Sequence, residues 1–88
     1  MSQTSVIDRE IGWRLRIQRI ATGLDRKTFA RLIGASERDI VSFEAGQERI
    51  DARSMYLISK ILNVQVSYFF ESWLNTTIAE TAAIFAAA

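Results

Sequence analysis

The stretch LDRKTFARLIGASERDIVSFEAG, residues 24–46, constrains this chain more than any other. It holds two short polar residues, Asp25 and Ser36, each followed by apolar residues at helical spacing. A short oxygen-bearing side chain in such a place accepts a hydrogen bond from the free amides of a first helical turn. Gly34 lies between the two runs, where a left-handed backbone ends a helix without steric cost. The stretch therefore reads as two short capped helices joined by a tight turn, and the rest of the chain must supply what they pack against.

The rest also reads as helix. The chain has 88 residues and no proline, and apolar side chains recur every three or four positions rather than in alternation. A first helix is expected over residues 6–22, with Ser5 as its cap, Ile7, Ile11 and Leu15 on its inner face and Gly23 as its stop. Asp25 opens a helix over about 26–33 that buries Phe29, Ala30 and Ile33. Ser36 opens a third, with Ile40 and Phe43 inward and Ala45-Gly46 at its end. Asp39 stands at capping-box distance from Ser36, and as a short acid it predicts only a partial box. Asp51 caps a fourth helix over about 52–62, with Met55, Ile58, Ile61 and Leu62 on a wide apolar face and Asn63 as its stop. Val64 and Val66 are expected to point inward along a connection, and Ser67 to cap a fifth helix. Residues 76–87 read either as a short sixth helix, with Thr77 and Glu80 at its start and Ile78, Ala82 and Phe85 on one face, or as a fraying tail.

Composition narrows the function classes. The chain has neither cysteine nor histidine, which removes the usual zinc ligands and the commonest general base. No glycine-rich phosphate loop is present, so an enzyme is not expected and no cofactor or metal is implied. No apolar run approaches the roughly 18 residues that span a bilayer, and a cytoplasmic protein is expected. Ten of the eleven basic residues lie within residues 1–53, beside eight acids. This mild polarity fits a nucleic-acid surface and an ordinary solvated surface equally well.

Short helices broken after Leu32-Ile33-Gly34 are a helix-turn-helix signature. The ordered set Ile11-Gly12, Leu15-Arg16, Arg19, Gly23-Leu24, Phe29-Ala30, Ile33-Gly34-Ala35-Ser36, Ile40, Phe43-Glu44 and Gly46 resembles the phage-repressor-type regulators of the Xre family. Arg49-Ile50, Met55, Ile58, Leu62, Val64 and Tyr68-Phe69-Phe70-Glu71 extend the resemblance over about two-thirds of the chain. The ending VQVSYFFE is similar to small alphaproteobacterial regulators, and the size to restriction–modification controller proteins. The implied fold is all-α: a compact five-helix domain over residues 1–75, with the motif at about 25–45, followed by a tail over 76–88 that extends a dimer. The implied activity is regulation of transcription by a dimer on a two-fold operator in double-stranded DNA, most often as a repressor, at the bacterial nucleoid. Half-sites of such operators lie about one helical turn (~34 Å) apart.

The resemblance also implies roles for residues. Arg19 and Glu44 match a partly buried ion pair that joins the first and third helices. Ser36, Glu37, Arg38, Asp39 and Ser42 match positions that reach base edges and nearby phosphates. Arg38 is the strongest of these, because a guanidinium can pair with guanine through two hydrogen bonds. Gln47 and Arg49 match loop contacts to the DNA backbone. Arg26 and Lys27 open the second helix, where the helix dipole disfavours cations, which suggests a phosphate to compensate them. Most members carry Ser-Gln where this chain has Asp25-Arg26. Arg26 is expected to replace the phosphate contact of that Gln but not its side-chain hydrogen bonds. Glu37 and Asp39 replace neutral residues and repel phosphate unless a donor meets them. They keep open a second reading, a protein-binding module of the same fold such as an antitoxin or anti-regulator. The surplus apolar residues Tyr68, Phe70, Trp73, Leu74 and Ile78 are the expected dimer interface. Phe69 is expected in the core, and Trp13 has no assigned place.

Overall fold

Asp25 begins the motif by accepting the backbone N–H of Thr28 at 2.7 Å, and Asp51 treats the N–H of Ser54 in the same way at 3.1 Å. The computed structural model describes residues 6–70, and among them there are four helices, a helical turn over residues 67–70, and no strand. The helices are α1 (Val6–Thr22), α2 (Arg26–Ile33), α3 (Glu37–Glu44) and α4 (Ala52–Leu62). A last helical turn begins at residue 67. Ser5 and residues 71–88, and with them the expected sixth helix, lie outside the described residues.

Local chemistry sets the ends. Gly34 adopts φ 72° and its N–H returns to the carbonyls of Ala30 and Arg31, while Asn63 takes the same left-handed turn at φ 55° after α4. Ser36 and Asp39 exchange hydrogen bonds, each side chain accepting the other's backbone N–H at 3.0 Å. The box expected to be partial is therefore complete, because the short Asp39 carboxylate lies close enough to the cap to reach its amide.

The apolar faces close on one core of Ile11, Leu15, Phe29, Ala30, Ile33, Ile40, Phe43, Met55, Ile58, Leu62 and Phe69. Each helix contributes residues that its periodicity assigns inward, while Ile7 and Ile61, also expected inward, pack half-buried against the core. Phe69 is almost wholly buried, at 1% exposure, and sits edge-on to Tyr68 with ring centroids 5.3 Å apart. Tyr68 itself is tied back to α1: its hydroxyl accepts from Gln18 Nε2 at 3.2 Å, its carbonyl accepts from Arg14 Nη1 at 3.1 Å, and the Arg14 guanidinium lies over its ring.

The connection after α4 differs from expectation in two details. Val64 packs against the core, but Val66 points out at 39% exposure. Ser67 lies inside the last turn rather than capping it; the carbonyls of Gln65 and Val66 accept from Tyr68 and Phe69 instead. Once Asn63 has turned the chain, the helical turn that buries Phe69 starts at residue 67, and the side chain of Val66 just before it is left outside.

Candidate nucleic-acid interface

α3 lies across the end of α2 and against α1, with Ile40, Phe43 and Glu44 buried. The opposite face of the helix carries Glu37, Arg38 and Val41 in the open and Ser42 half-buried. This face meets the N-terminus of α2. Arg19, Asp25, Arg26, Lys27, Glu37 and Val41 line one open cleft of about 490 Å³ between the two helices.

The free N–H groups and positive dipole end of α2 face the same region, and both favour an anion. Lys27 is exposed in the first turn, and Arg31 follows on the same side four residues later. Asp25 is the local acid. Its carboxyl is held below the ordinary value of 3.8, first by the Thr28 backbone N–H and then by the Thr28 side chain; desolvation opposes them, and Arg31 and Lys27 add a smaller attraction.

The structure distributes the other sequence-derived residues unevenly. Ser36 is exposed at the start of α3, and its oxygen accepts within the capping box, which leaves its hydroxyl proton to donate elsewhere. The Asp39 carboxylate is engaged in the same box and so serves the helix end. Gln47 is exposed just beyond α3, its backbone N–H on the Ser42 carbonyl. Arg49 is bound to Asp8 of α1 through two bonds of 3.2 Å. The hydrogen bond and then the charge of Asp8 raise its pKa, although its side chain is 73% exposed.

Glu44 is the electrostatic centre. Its side chain is only 2% exposed. Arg19 donates Nε to Oε2 and Nη2 to Oε1, the latter at 3.2 Å. Arg26 also reaches Oε1, at 3.0 Å from its Nε. Arg26, expected to take over the phosphate contact of the family's Gln without its side-chain hydrogen bonds, is bonded here to Glu44 of α3. Arg19 Nη1 further holds the carbonyl of Leu24 at 2.8 Å, so one guanidinium joins α1, the α1–α2 turn and α3.

Val41 was not among the residues read from the sequence as a contact. It stands at 45% exposure in the middle of the outer face of α3. Its spacing of four from Glu37 and three from Arg38 was the available signal, masked by its apolar character. Trp13, without a place in the sequence, is exposed together with Val6, Ile17 and Ile20, and these four recur at helical spacing along one side of α1. Tyr68 and Phe70 are half-buried against the core; Trp73, Leu74 and Ile78 lie outside the described residues.

Among the described residues no helix is long and apolar enough to cross a membrane, and no group of side chains could hold a metal ion. No protein-family profile matches the sequence. Curated relatives do. The chain is 44% identical over 64 residues to a transcriptional regulator in the ATPase CF(0) region of Rhodospirillum rubrum, covering 73% of this chain and 59% of the relative. It is 37% identical over 65 residues to an HTH-type transcriptional regulator of Sinorhizobium medicae, covering 74% and 47%. The chain thus spans about half of these relatives' length. Among solved structures, the restriction–modification controller protein C.AhdI of Aeromonas hydrophila aligns with TM-score 0.66 at 27% identity, over 70% of this chain and 94% of that one. The P22 c2 repressor, solved in complex with a synthetic operator, aligns with TM-score 0.65 at 20% identity, over 67% and 89%.

Proposed function

This chain carries a helix-turn-helix domain of the phage-repressor, Xre type, and from that premise we propose that it regulates transcription by binding double-stranded DNA through α3. One observation carries this reading: the outer face of α3 has no structural task. Its inner face supplies the core and the Glu44 cluster, while Arg38 stands exposed and Glu37 and Val41 line the cleft beside the cationic start of α2.

In this reading Arg38 reads a base edge and Val41 meets a thymine methyl group, the apolar feature of the major groove. Lys27, Ser36 and Gln47 hold phosphates and set the register. Glu37 accepts from a cytosine amino group or orients Arg38. Asp39 and Arg49, engaged within the fold, act on DNA less directly. A single domain of this size makes a small interface, so the protein works as a homodimer on a two-fold operator, in the cytoplasm at the nucleoid. Tyr68, Phe70, Trp73, Leu74 and Ile78 form the dimer contact. The absence of cysteine and histidine favours a non-enzymatic role.

The test is binding of purified protein to DNA from its own upstream region and to random DNA, at several salt concentrations. Tighter binding to one site, with an affinity that falls steeply as salt rises, is expected; no binding at low salt overturns the proposal. On the true site Arg38→Ala should cost about 1–3 kcal/mol and relax preference at one base pair. Equal losses on specific and random DNA would remove Arg38 from the readout.

A second reading, a module that binds another protein, is favoured by the side of α1 formed by Val6, Trp13, Ile17 and Ile20. Large exposed apolar patches mark interfaces. It would gain if DNA binding were absent and Trp13→Ser abolished association with a partner.

A further inference from the structure

Two helix ends in this fold carry the wrong charge for their dipoles. Arg26 is the first residue of α2, where the dipole is positive, and Glu44 is the last of α3, where it is negative. The structure brings the two mismatched groups together, Nε to Oε1 at 3.0 Å. Each supplies the counter-charge that the other's helix end lacks. The carboxylate is 2% exposed and the Arg26 side chain 38% exposed, so the bond forms at the edge of the core rather than in open water. Oε1 also accepts from Arg19. A phosphate drawing Arg26 away would leave a buried carboxylate oxygen with one donor fewer, and losing a bond to a buried charged group costs more than a neutral one.

We propose that Arg26 is a positioning residue for DNA recognition and not a phosphate contact. Its bond to Glu44 ties the start of α2 to the end of α3. That tie sets where Arg38 and Val41 stand relative to Lys27. The inference rests on the DNA-binding reading above for its consequence, but its geometry belongs to the free protein. The puzzle of a cation at the start of α2 is then answered inside the fold: Glu44 compensates it, and Lys27 alone is left to attract phosphate from that turn.

Two measurements test this. In salt titrations of DNA binding, Arg26→Ala should weaken the specific site about tenfold, the size of one hydrogen bond to a charged group. It should leave random-DNA affinity and the salt slope unchanged, and Arg26→Gln should recover part of the loss. Lys27→Ala should instead reduce the slope by about 0.9 and weaken all sequences. A slope that drops by that amount in Arg26→Ala, with equal losses on specific and random DNA, overturns the proposal. The second measurement needs no DNA. In ¹⁵N spectra Arg26→Ala should shift the Nε–H signal of Arg19, because both share one carboxylate; an unmoved signal overturns the tie. If the unaltered protein binds no DNA, the proposed function fails while the spectrum still decides the Arg26–Glu44 geometry.

Discussion

Gly12 lies in the middle of α1, and a Cβ placed there would stand 2.2 Å from the carbonyl oxygen of Phe43 and 2.8 Å from that of Glu44. Those oxygens belong to the last turn of α3, so the missing side chain is what lets α1 touch the end of α3. In most helices Gly→Ala is worth up to about 1 kcal/mol in the favourable direction. Here the neighbour is backbone, which cannot swing aside. Gly12→Ala should therefore destabilise by about 1–3 kcal/mol, read as a lower thermal midpoint; an unchanged or higher midpoint would mean that α1 can slide. The same contact explains why Arg19, two turns further along the same side of α1, finds Glu44. Neither fact is visible in the residue alone. Gly12 looks like a weak spot in a helix, and Arg19 like any surface cation.

At the scale of elements, helix boundaries rest on local chemistry. Asp25, Ser36 and Asp51 each accept the amide three residues on, and a bond of that span can be read from a few letters. The carboxyl of Asp51 is lowered below its ordinary value, first by the Ser54 side chain and then by the Ser54 backbone N–H, as that of Asp25 is by Thr28. A carboxyl with a lower pKa in the folded state contributes its stabilisation in full above the unfolded value. The contribution is lost as pH falls through the lowered, folded value. Acid should therefore weaken both caps. Asp25→Asn keeps a capping oxygen but cannot titrate. Its thermal midpoint should stay near that of the unaltered protein at neutral pH and fall less steeply as pH drops below the ordinary carboxyl value of 3.8. An identical acid slope in both proteins would show that the Asp25 bond is not made in solution. Boundaries without such a cap were less legible. The turn at residues 66–70 is opened by backbone carbonyls, and Ser67 gave a misleading sign there.

At the scale of the molecule, the described residues enclose one core with four helices and the turn that carries Phe69, and their charged side chains sort into those that bind the fold and those that face outward. The proposed dimer belongs to this scale. Removing a central aromatic anchor from an interface characteristically costs about 2 kcal/mol or more of association energy. Trp73→Ala should accordingly raise the dimer dissociation constant in sedimentation equilibrium, and an unchanged profile would move the interface elsewhere. The exposed side of α1, with Trp13 at its centre, is then the next surface to test.

What the amino-acid sequence determined by itself was the order and inward faces of α1 to α4 and the capped ends of α2, α3 and α4. Those depend on caps, stops and apolar spacing, all of which act over one to four residues. The helix-turn-helix assignment follows from that order. The tertiary structure decided how the charged residues are employed. Arg26 meets Glu44 across 18 residues of chain, and Arg49 meets Asp8 across 41. A charge read from sequence has a sign but no partner, and packing alone chooses which carboxylate comes within about 3 Å of it. Thus Arg26 and Arg49, which read as cations awaiting phosphate, are bound within the fold, while Val41, to which the sequence assigns no role, stands on the outer face of α3.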